Sequence, residues 1–481
     1  MKTFLQTLFF FLLITQICFA QWEGDQQLTN TASSSFLNNN NAWNIAVSGD
    51  TIHVIYADDF NGAFQVYYTS SYNAGINWDA PLLVSTVVSN IWSYVIAVSG
   101  LTVHVVWINT MANQFLYIHS SDAGVTFSQP DTILTTTQNL SFPCLAVNGN
   151  DVYLVWNDNR HPVSNDEIYF MSSVDGGLNW NTPQRLTNTG NGIMDKVPSL
   201  AISDNILHLV WQRGPDYQAR VLYRRSSNNG VSWEPEQFIT SDTINQTQPC
   251  IAVSGSYVHT AWMDSRNDTI QIFYRSSYDN GVNWQVEKCL TNGFSADYET
   301  ITASGKNVHI AYRDYRFNQQ WHIGYRCSID NGLTWQQDTV LINSWQQEGP
   351  SIAVAGTKVH LIWMDNRDGN WEIYYKKNPN GNPTKVENIS LNFPTRFQLY
   401  GNYPNPFNPS TKIKYSVQQT SQVQIKIFDV LGNDIVTLVN EEKPAGTYES
   451  NWNAANLPSG VYFYRLQAGD FMQTRKMILL K

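Results

Sequence analysis

The chain has 481 residues, enough for two or three domains, each with its own core. Its 29 Lys and Arg against 39 Asp and Glu leave a net charge of −10, which argues against nucleic acid and anionic membrane surfaces as partners, since both need a cationic footprint. The 17 Trp, 25 Tyr and 22 Phe suit β-structure and carbohydrate-facing surfaces.

Residues 1–20 have the pattern of an export signal: Lys2, then the apolar run FLQTLFFFLLI, then Cys18-Phe19-Ala20 as a small-residue cleavage site. The apolar run is short for a membrane span, and no later stretch could cross a bilayer, so no transmembrane segment is expected in the mature chain.

From residue 45 the chain repeats. IAVSGDTIHVIYADD (45–59) returns as IAVSGLTVHVVWINT (96–110), LAVNGNDVYLVWNDN (145–159), LAISDNILHLVWQRG (200–214), IAVSGSYVHTAWMDS (251–265), ITASGKNVHIAYRDY (301–315) and IAVAGTKVHLIWMDN (352–366). Between the markers Gly49, Gly100, Gly149, Asp204, Gly255, Gly305 and Gly356 the steps are 51, 49, 55, 51, 50 and 51. A period near this length, with β-branched alternation and turn residues between runs, points to four-stranded propeller blades. The seventh unit stops at NPNGNPT (378–384) without a fourth strand, while QWEGDQQLTN (21–30) aligns gaplessly with NWNTPQRLTN (179–188). The mature N-terminus is therefore expected to supply the missing strand and close the ring, removing two exposed edges.

The first six units each carry a turn of the type SIDNGLTW (328–335). Asp122, Asp175, Asp279 and Asp330 can accept from backbone N–H groups just ahead, Gly332 can take a positive φ, and Trp335 can bury a large ring. Asn73 and Asn228 replace the Asp, and Phe127 the Trp, in other copies. The S-x-D-x-G-x-T-W pattern resembles the Asp-box of sialidase-like β-propellers, over residues 21–384. The resemblance implies radial antiparallel blades around a channel, in a family of glycoside hydrolases and non-catalytic binding propellers. A side chain that caps its own loop is structural, and strand parity puts these turns on the face opposite the expected site.

On that expected site face, Asp158, Asp264, Asp314 and Asp365 precede Arg160, Arg266, Arg316 and Arg367 by two residues. An Arg fork fits a carboxylate, either the neighbouring Asp or an acid group of a ligand. Trp92, Asp195, Lys196, Asp297, Tyr298, Glu299, Trp345 and Glu348 break the repeat in the inter-blade loops. Trp92 and Trp345 are further ligand-binding candidates. Tyr298, Glu299 and Asp297 are the catalytic candidates, because Tyr298 with Glu299 resembles the sialidase Tyr/Glu pairing; as strand neighbours they are expected to face opposite ways. No [FY]-R-I-P motif occurs, and the first two units lack D-x-R. His53, His104, His208, His259, His309 and His360 occupy one repeat position, which spreads them around the ring and predicts structural roles. No cofactor motif and no metal-ligand spacing occurs, and Cys144, Cys250, Cys289 and Cys327 are widely spaced. Cys144 and Cys250 are expected as small buried residues, and a Cys289–Cys327 disulfide is left open.

After residue 384 the repeat ends. A linker is expected at 385–396 and a small Ig-like β-sandwich at 397–481, its Pro-rich start extended or hinge-like. NYPNPFNPST, FDVLGN, LPSGVYFYRL and TRKMILLK resemble the type A C-terminal sorting domain of the type IX secretion system. The resemblance implies export across the outer membrane of a Bacteroidetes-like bacterium and the type IX machinery as partner. The expectation is an all-β chain, a seven-bladed β-propeller closed by its N-terminal strand and followed by the sandwich, secreted or at the cell surface and binding extracellular glycan or protein. The alternatives are a sialidase-like glycoside hydrolase and a structural adhesion scaffold.

Overall fold

The structure is a computed structural model that describes residues 22–38, 44–59, 62–85, 91, 93–160, 165–190, 192–215, 218–240, 245–267, 269–317, 320–342, 346–381, 396–419, 421–443 and 446–481. The expected export signal, most of the expected linker, Trp92 and Trp345 lie outside the described residues. The chain divides into two compact units, Met1–Lys385 and Val386–Lys481, and the described residues contain strands and turns but no helix.

The first unit holds seven antiparallel sheets among the described residues. The third is representative: Leu140–Asn148, Asp151–Asp158, Glu167–Ser173 and Gln184–Arg185, paired in that order. Its second strand is buried on both faces, because every sheet packs against a neighbour on either side. That is why VYLVW is a continuous apolar run rather than an alternating one. At the centre of each sheet stands a fully buried aromatic, in order Tyr56, Trp107, Trp156, Trp211, Trp262, Tyr312 and Trp363. The sheets are the blades of a β-propeller, and their first strands pack side by side around a closed circuit. Ala46, Ala97, Ala146, Ala201, Ala252 and Ala353 from those strands line a central channel of ≈ 250 Å³.

The N-terminal segment closes this circuit. Gln26 and Gln27 pair with Tyr375 and Tyr374 of the seventh blade, as Gln184 and Arg185 pair with Phe170 and Tyr169 in the third. Thr29 donates its hydroxyl to the buried Glu372 carboxylate, and the Thr31 amide donates to it at 3.0 Å. Thr187 and Thr189 hold Glu167 in the same way, at 2.5 and 2.9 Å. The gapless sequence alignment thus corresponds to one repeated clamp, made in the seventh blade between segments more than 300 residues apart. Ile52, Val54 and Tyr56 of the first blade complete the seal against Ile362, Met364 and Tyr375.

The repeated turns fasten each blade to the one before it. In the sixth blade Asp330 Oδ1 accepts from the Ser328 hydroxyl at 2.7 Å and from the Thr334 amide at 2.8 Å. The same bonds recur at Asp122, Asp175 and Asp279. The Thr126 hydroxyl and amide, then the Ser120 hydroxyl, hold the Asp122 carboxyl down to about 2. Gly332 has φ +78°, and a Cβ there would overlap the Tyr274 hydroxyl of the fifth blade. Trp335 packs edge-on against the same Tyr274 at 4.8 Å, and Trp22, in the segment that completes the seventh blade, stands against Tyr325 of the sixth at 5.0 Å. The other face of the bond system is His259, whose Nδ1 lies 2.7 Å from Tyr274 Oη. All six histidines of the repeat position make this bond, and burial lowers each to about 3 or 4, so each is neutral. The four cysteines among the described residues are free thiols, which removes the Cys289–Cys327 pairing.

The second unit has one sheet of Gln398–Leu399, Ser410–Val417 and Gly446–Asn453 and another of Asp434–Lys443, Ser421–Phe428, Gly460–Ala468 and Phe471–Leu479. Leu399, Ile413, Ile425, Trp452 and Tyr464 share its core. The Pro-rich start is no hinge. Tyr403 exchanges backbone hydrogen bonds with Lys412, and the Phe407 amide and carbonyl bond to Ile478 and Leu480. Phe407 is buried, so the apolar anchor between the prolines overrides their lack of donors.

Candidate functional site

The face that carries the hairpins between second and third strands, together with the segments entering each first strand, holds the aspartate–arginine groups. Asp158, Asp264 and Asp365 are buried at the ends of their strands and accept from the indole N–H of Trp156, Trp262 and Trp363. Each then accepts from the backbone N–H and guanidinium of the Arg two residues on. Asp314 holds Arg316 likewise. The guanidinium planes lie over rings: Arg160 over Tyr169 at 4.5 Å, Arg266 over Phe273 at 4.4 Å, Arg316 over Phe294 at 3.7 Å and Arg367 over Tyr374 at 4.3 Å. A second carboxylate from the fourth strand or its approach reaches three of them: Glu287 to Arg266, Asp338 to Arg316 and Asp25 to Arg367.

The fourth blade builds the same group from different residues. Arg213 directs Nε and Nη2 at Asp195, at 2.7 and 2.8 Å, and Nη1 at Glu236, at 2.7 Å. Asp195 sits on the first strand, directly opposite Arg213, and also accepts from Trp211 Nε1. The D-x-R spacing misses this pair because its two members lie on different strands. Lys196 lies 3.6 Å from Asp166.

The sixth blade departs from the ring. Its second and third strands, Asn307–Phe317 and Gln320–Ser328, run longer than the eight- and seven-residue strands of the third blade, carrying the hairpin outward to a Phe317–Gln320 pair. The residue after the central aromatic of the second strand is Asn157, Gln212, Met263 and Met364 in the third, fourth, fifth and seventh blades, and Arg313 here. Arg313 makes a two-point ion pair with Asp297, at 2.7 and 2.8 Å, and its Nη1 lies 3.6 Å from Glu348 of the seventh blade. Its guanidinium lies over two rings, Tyr298 at 4.3 Å and Trp321 at 3.8 Å. Trp321 in turn packs on Tyr315, ring centroids 4.5 Å apart, and Tyr315 is 37% exposed.

A β-bulge decides where the catalytic candidates go. The register slips between Asp297 and Thr300, and Tyr298 adopts φ +49°. Alternation breaks there, so the neighbours Asp297 and Tyr298 both meet Arg313 instead of facing opposite ways. Glu299 turns inward where the third, fourth, fifth and seventh blades place Pro143, Pro198, Pro249 and Pro350. It is 3% exposed, neither carboxyl oxygen has a hydrogen-bond partner, and burial first, with the Asp297 charge second, holds it well above the usual carboxylate range. The bulge therefore brings Asp297 and Tyr298 together on Arg313 and separates Glu299 from solvent. Sequence reasoning passed over Arg313, Trp321 and Tyr315. The signal was present as a lone charge in an otherwise uncharged repeat column and as a longer hairpin.

Residues 402–480 match the secretion system C-terminal sorting domain. No curated protein matches the sequence. Among solved structures the chain is similar to the polysaccharide lyase Uly1, at 12% identity and TM-score 0.51, over 74% of this chain and 99% of that one. Others include the phage phi92 endosialidase, at 11% identity and TM-score 0.48 over 96% and 87%, and the Trypanosoma rangeli sialidase, at 10% and 0.44 over 93% and 89%. At 12% identity the likeness to Uly1 concerns the fold.

Proposed function

We propose that this chain is an exported β-propeller that binds glycan outside the cell, at the face built around its sixth blade. The observation that carries the reading is the local break in symmetry: Arg313 paired with Asp297 and packed on Tyr298 and Trp321, in a hairpin longer than its counterpart. A ring repeated blade by blade needs no such departure for its own stability. The exposed Tyr315 and the half-buried Trp321 behind it offer apolar ring surface to the C–H face of a sugar, while carboxylates at the rim accept its hydroxyls. Arg160, Arg266, Arg316 and Arg367, with Asp158, Asp264, Asp314 and Asp365, frame this face. The sorting domain supports passage through type IX machinery in a Bacteroidetes-like bacterium, leaving the propeller secreted or at the cell surface.

One observation favours a glycoside hydrolase instead. Burial raises the Glu299 carboxyl well above the usual carboxylate range, next to the Asp297 that Arg313 pairs, and a carboxyl raised in this way suits an acid role. Its burial speaks for a structural role. Glycan-array binding by the mature full chain, run beside fluorogenic glycosides, tests both. Binding that is lost on Trp321→Ala, with no turnover, supports the binding reading. Turnover that is lost on Glu299→Gln overturns it.

A further inference from the structure

The charges on the proposed glycan face specify the class of glycan. Arg213, Arg266, Arg313 and Arg316 each face two carboxylates: Asp195 with Glu236, Asp264 with Glu287, Asp297 with Glu348, and Asp314 with Asp338. These eight carboxylates are distinct residues, so in each group one guanidinium already faces two acids, with Arg224 and Arg275 adding positive charge near Glu236 and Glu287. Arg367 shares Asp365 and Asp25 with Lys376, and that group closes neutral. Around the sixth blade, Arg313 and Arg316 stand against four carboxylates.

Geometry leaves the central arginine equally committed. Arg313 gives Nε and Nη2 to Asp297, Nη1 faces Glu348, and its guanidinium packs on the rings of Tyr298 and Trp321. Its side chain is only 12% exposed, whereas that of Glu348 is 27% exposed and lies at the rim. An incoming carboxylate or sulfate would meet Glu348 before it met a donor of Arg313. It would have to displace Asp297 from a two-point ion pair and leave that carboxylate without its partner. A neutral pyranose meets no such conflict: Tyr315 and Trp321 offer ring surface, and the carboxylate oxygens accept hydroxyl protons.

We infer that the sixth-blade site selects neutral glycans and rejects sialylated, uronic-acid and sulfated ones, through an arginine whose charge is spent on positioning its aromatic platform. This inference rests on the glycan-binding reading and fixes its ligand class. Four cations lie outside the pattern, among them Arg185 with Glu167 and Lys196 with Asp166 as single acid partners. Arg160 has Asp158 as its acid partner among the described residues, and Arg220 lies over Phe238 at 3.8 Å with the Thr240 carbonyl as its acceptor.

The experiment uses the mature full chain against two matched panels. One holds neutral β-glucan, mannan and xylan oligosaccharides; the other holds sialyl-oligosaccharides, polygalacturonate fragments and chondroitin sulfate. Binding confined to the neutral panel, unchanged by added salt and weakened roughly 30-fold by Trp321→Ala, is expected. Trp321→Phe, which keeps a ring, retains most of the affinity and guards against loss through misfolding. Glu348→Gln removes the rim charge and should admit acidic oligosaccharides that the parent refuses. Preferential, salt-sensitive binding of the acidic panel by the parent overturns the inference while leaving glycan binding intact. Silence on both panels overturns the glycan reading itself.

Discussion

Deleting residues 22–31 removes the strand that closes the ring, and the structure sets the size of the effect. The Glu23 and Leu28 amides lose their bonds to Lys377 and Ile373, at 2.9 and 2.7 Å, along with the Gln26 and Gln27 ladder. At about 1 kcal/mol for each bond this is roughly 3–4 kcal/mol. Trp22 leaves the Tyr325 edge contact, worth about 2 kcal/mol of buried area. Glu372, 1% exposed, loses Thr29 and Thr31 and remains as a poorly partnered buried carboxylate, a cost of ~3 kcal/mol. The sum, ~8 kcal/mol, equals the whole stability of many domains. The deleted chain should therefore lose the cooperative unfolding transition followed by tryptophan fluorescence in urea. A synthetic peptide of residues 22–31 should restore it by adding back as a strand. Coincident urea curves for the deletion and the parent would refute the closure argument.

Gly332→Ala forces a Cβ into the Tyr274 hydroxyl at φ +78°, and should cost ~3 kcal/mol or more in urea unfolding. Gly356→Ala, at φ +60° with open space around it, should cost only about 1 kcal/mol and serves as the control. The six buried histidines make the propeller acid-labile. Their folded pKa is depressed to about 3 or 4 against 6.5, so the unfolded chain binds protons first and stability falls as pH drops from about 6.5 toward about 4. Each full titration removes roughly 3 kcal/mol, so an unfolding midpoint equal at pH 7 and pH 4.5 would contradict the assignment. Burial pushes the Cys144 thiol up to about 12 and the Cys250 thiol well above its ordinary range, while Cys289 is only half-buried. A thiol reagent on the native protein should therefore label Cys289 first and leave Cys144 and Cys250 untouched until unfolding.

The amino-acid sequence by itself determined the architecture, because repetition makes each local preference speak several times. The Gly-marked period, the S-x-D-x-G-x-T-W turns and the matching of 21–30 with 179–188 name the blades, their fasteners and their closing strand before any coordinate is known. The Glu372 clamp by Thr29 and Thr31 repeats the Glu167 clamp because the same residues stand at the same repeat positions. Which charges meet was left to the tertiary structure. Arg213 finds Asp195 across a strand pair, and Arg313 finds Asp297, because register, not spacing along the chain, sets those neighbours. The bulge at Tyr298 moves Asp297 and Tyr298 to one arginine and sends Glu299 inside, a redistribution that alternation along a strand cannot express. Backbone periodicity is a property of short segments and survives in the sequence. The company a side chain keeps depends on how distant segments are aligned, and that exists only once the chain has folded.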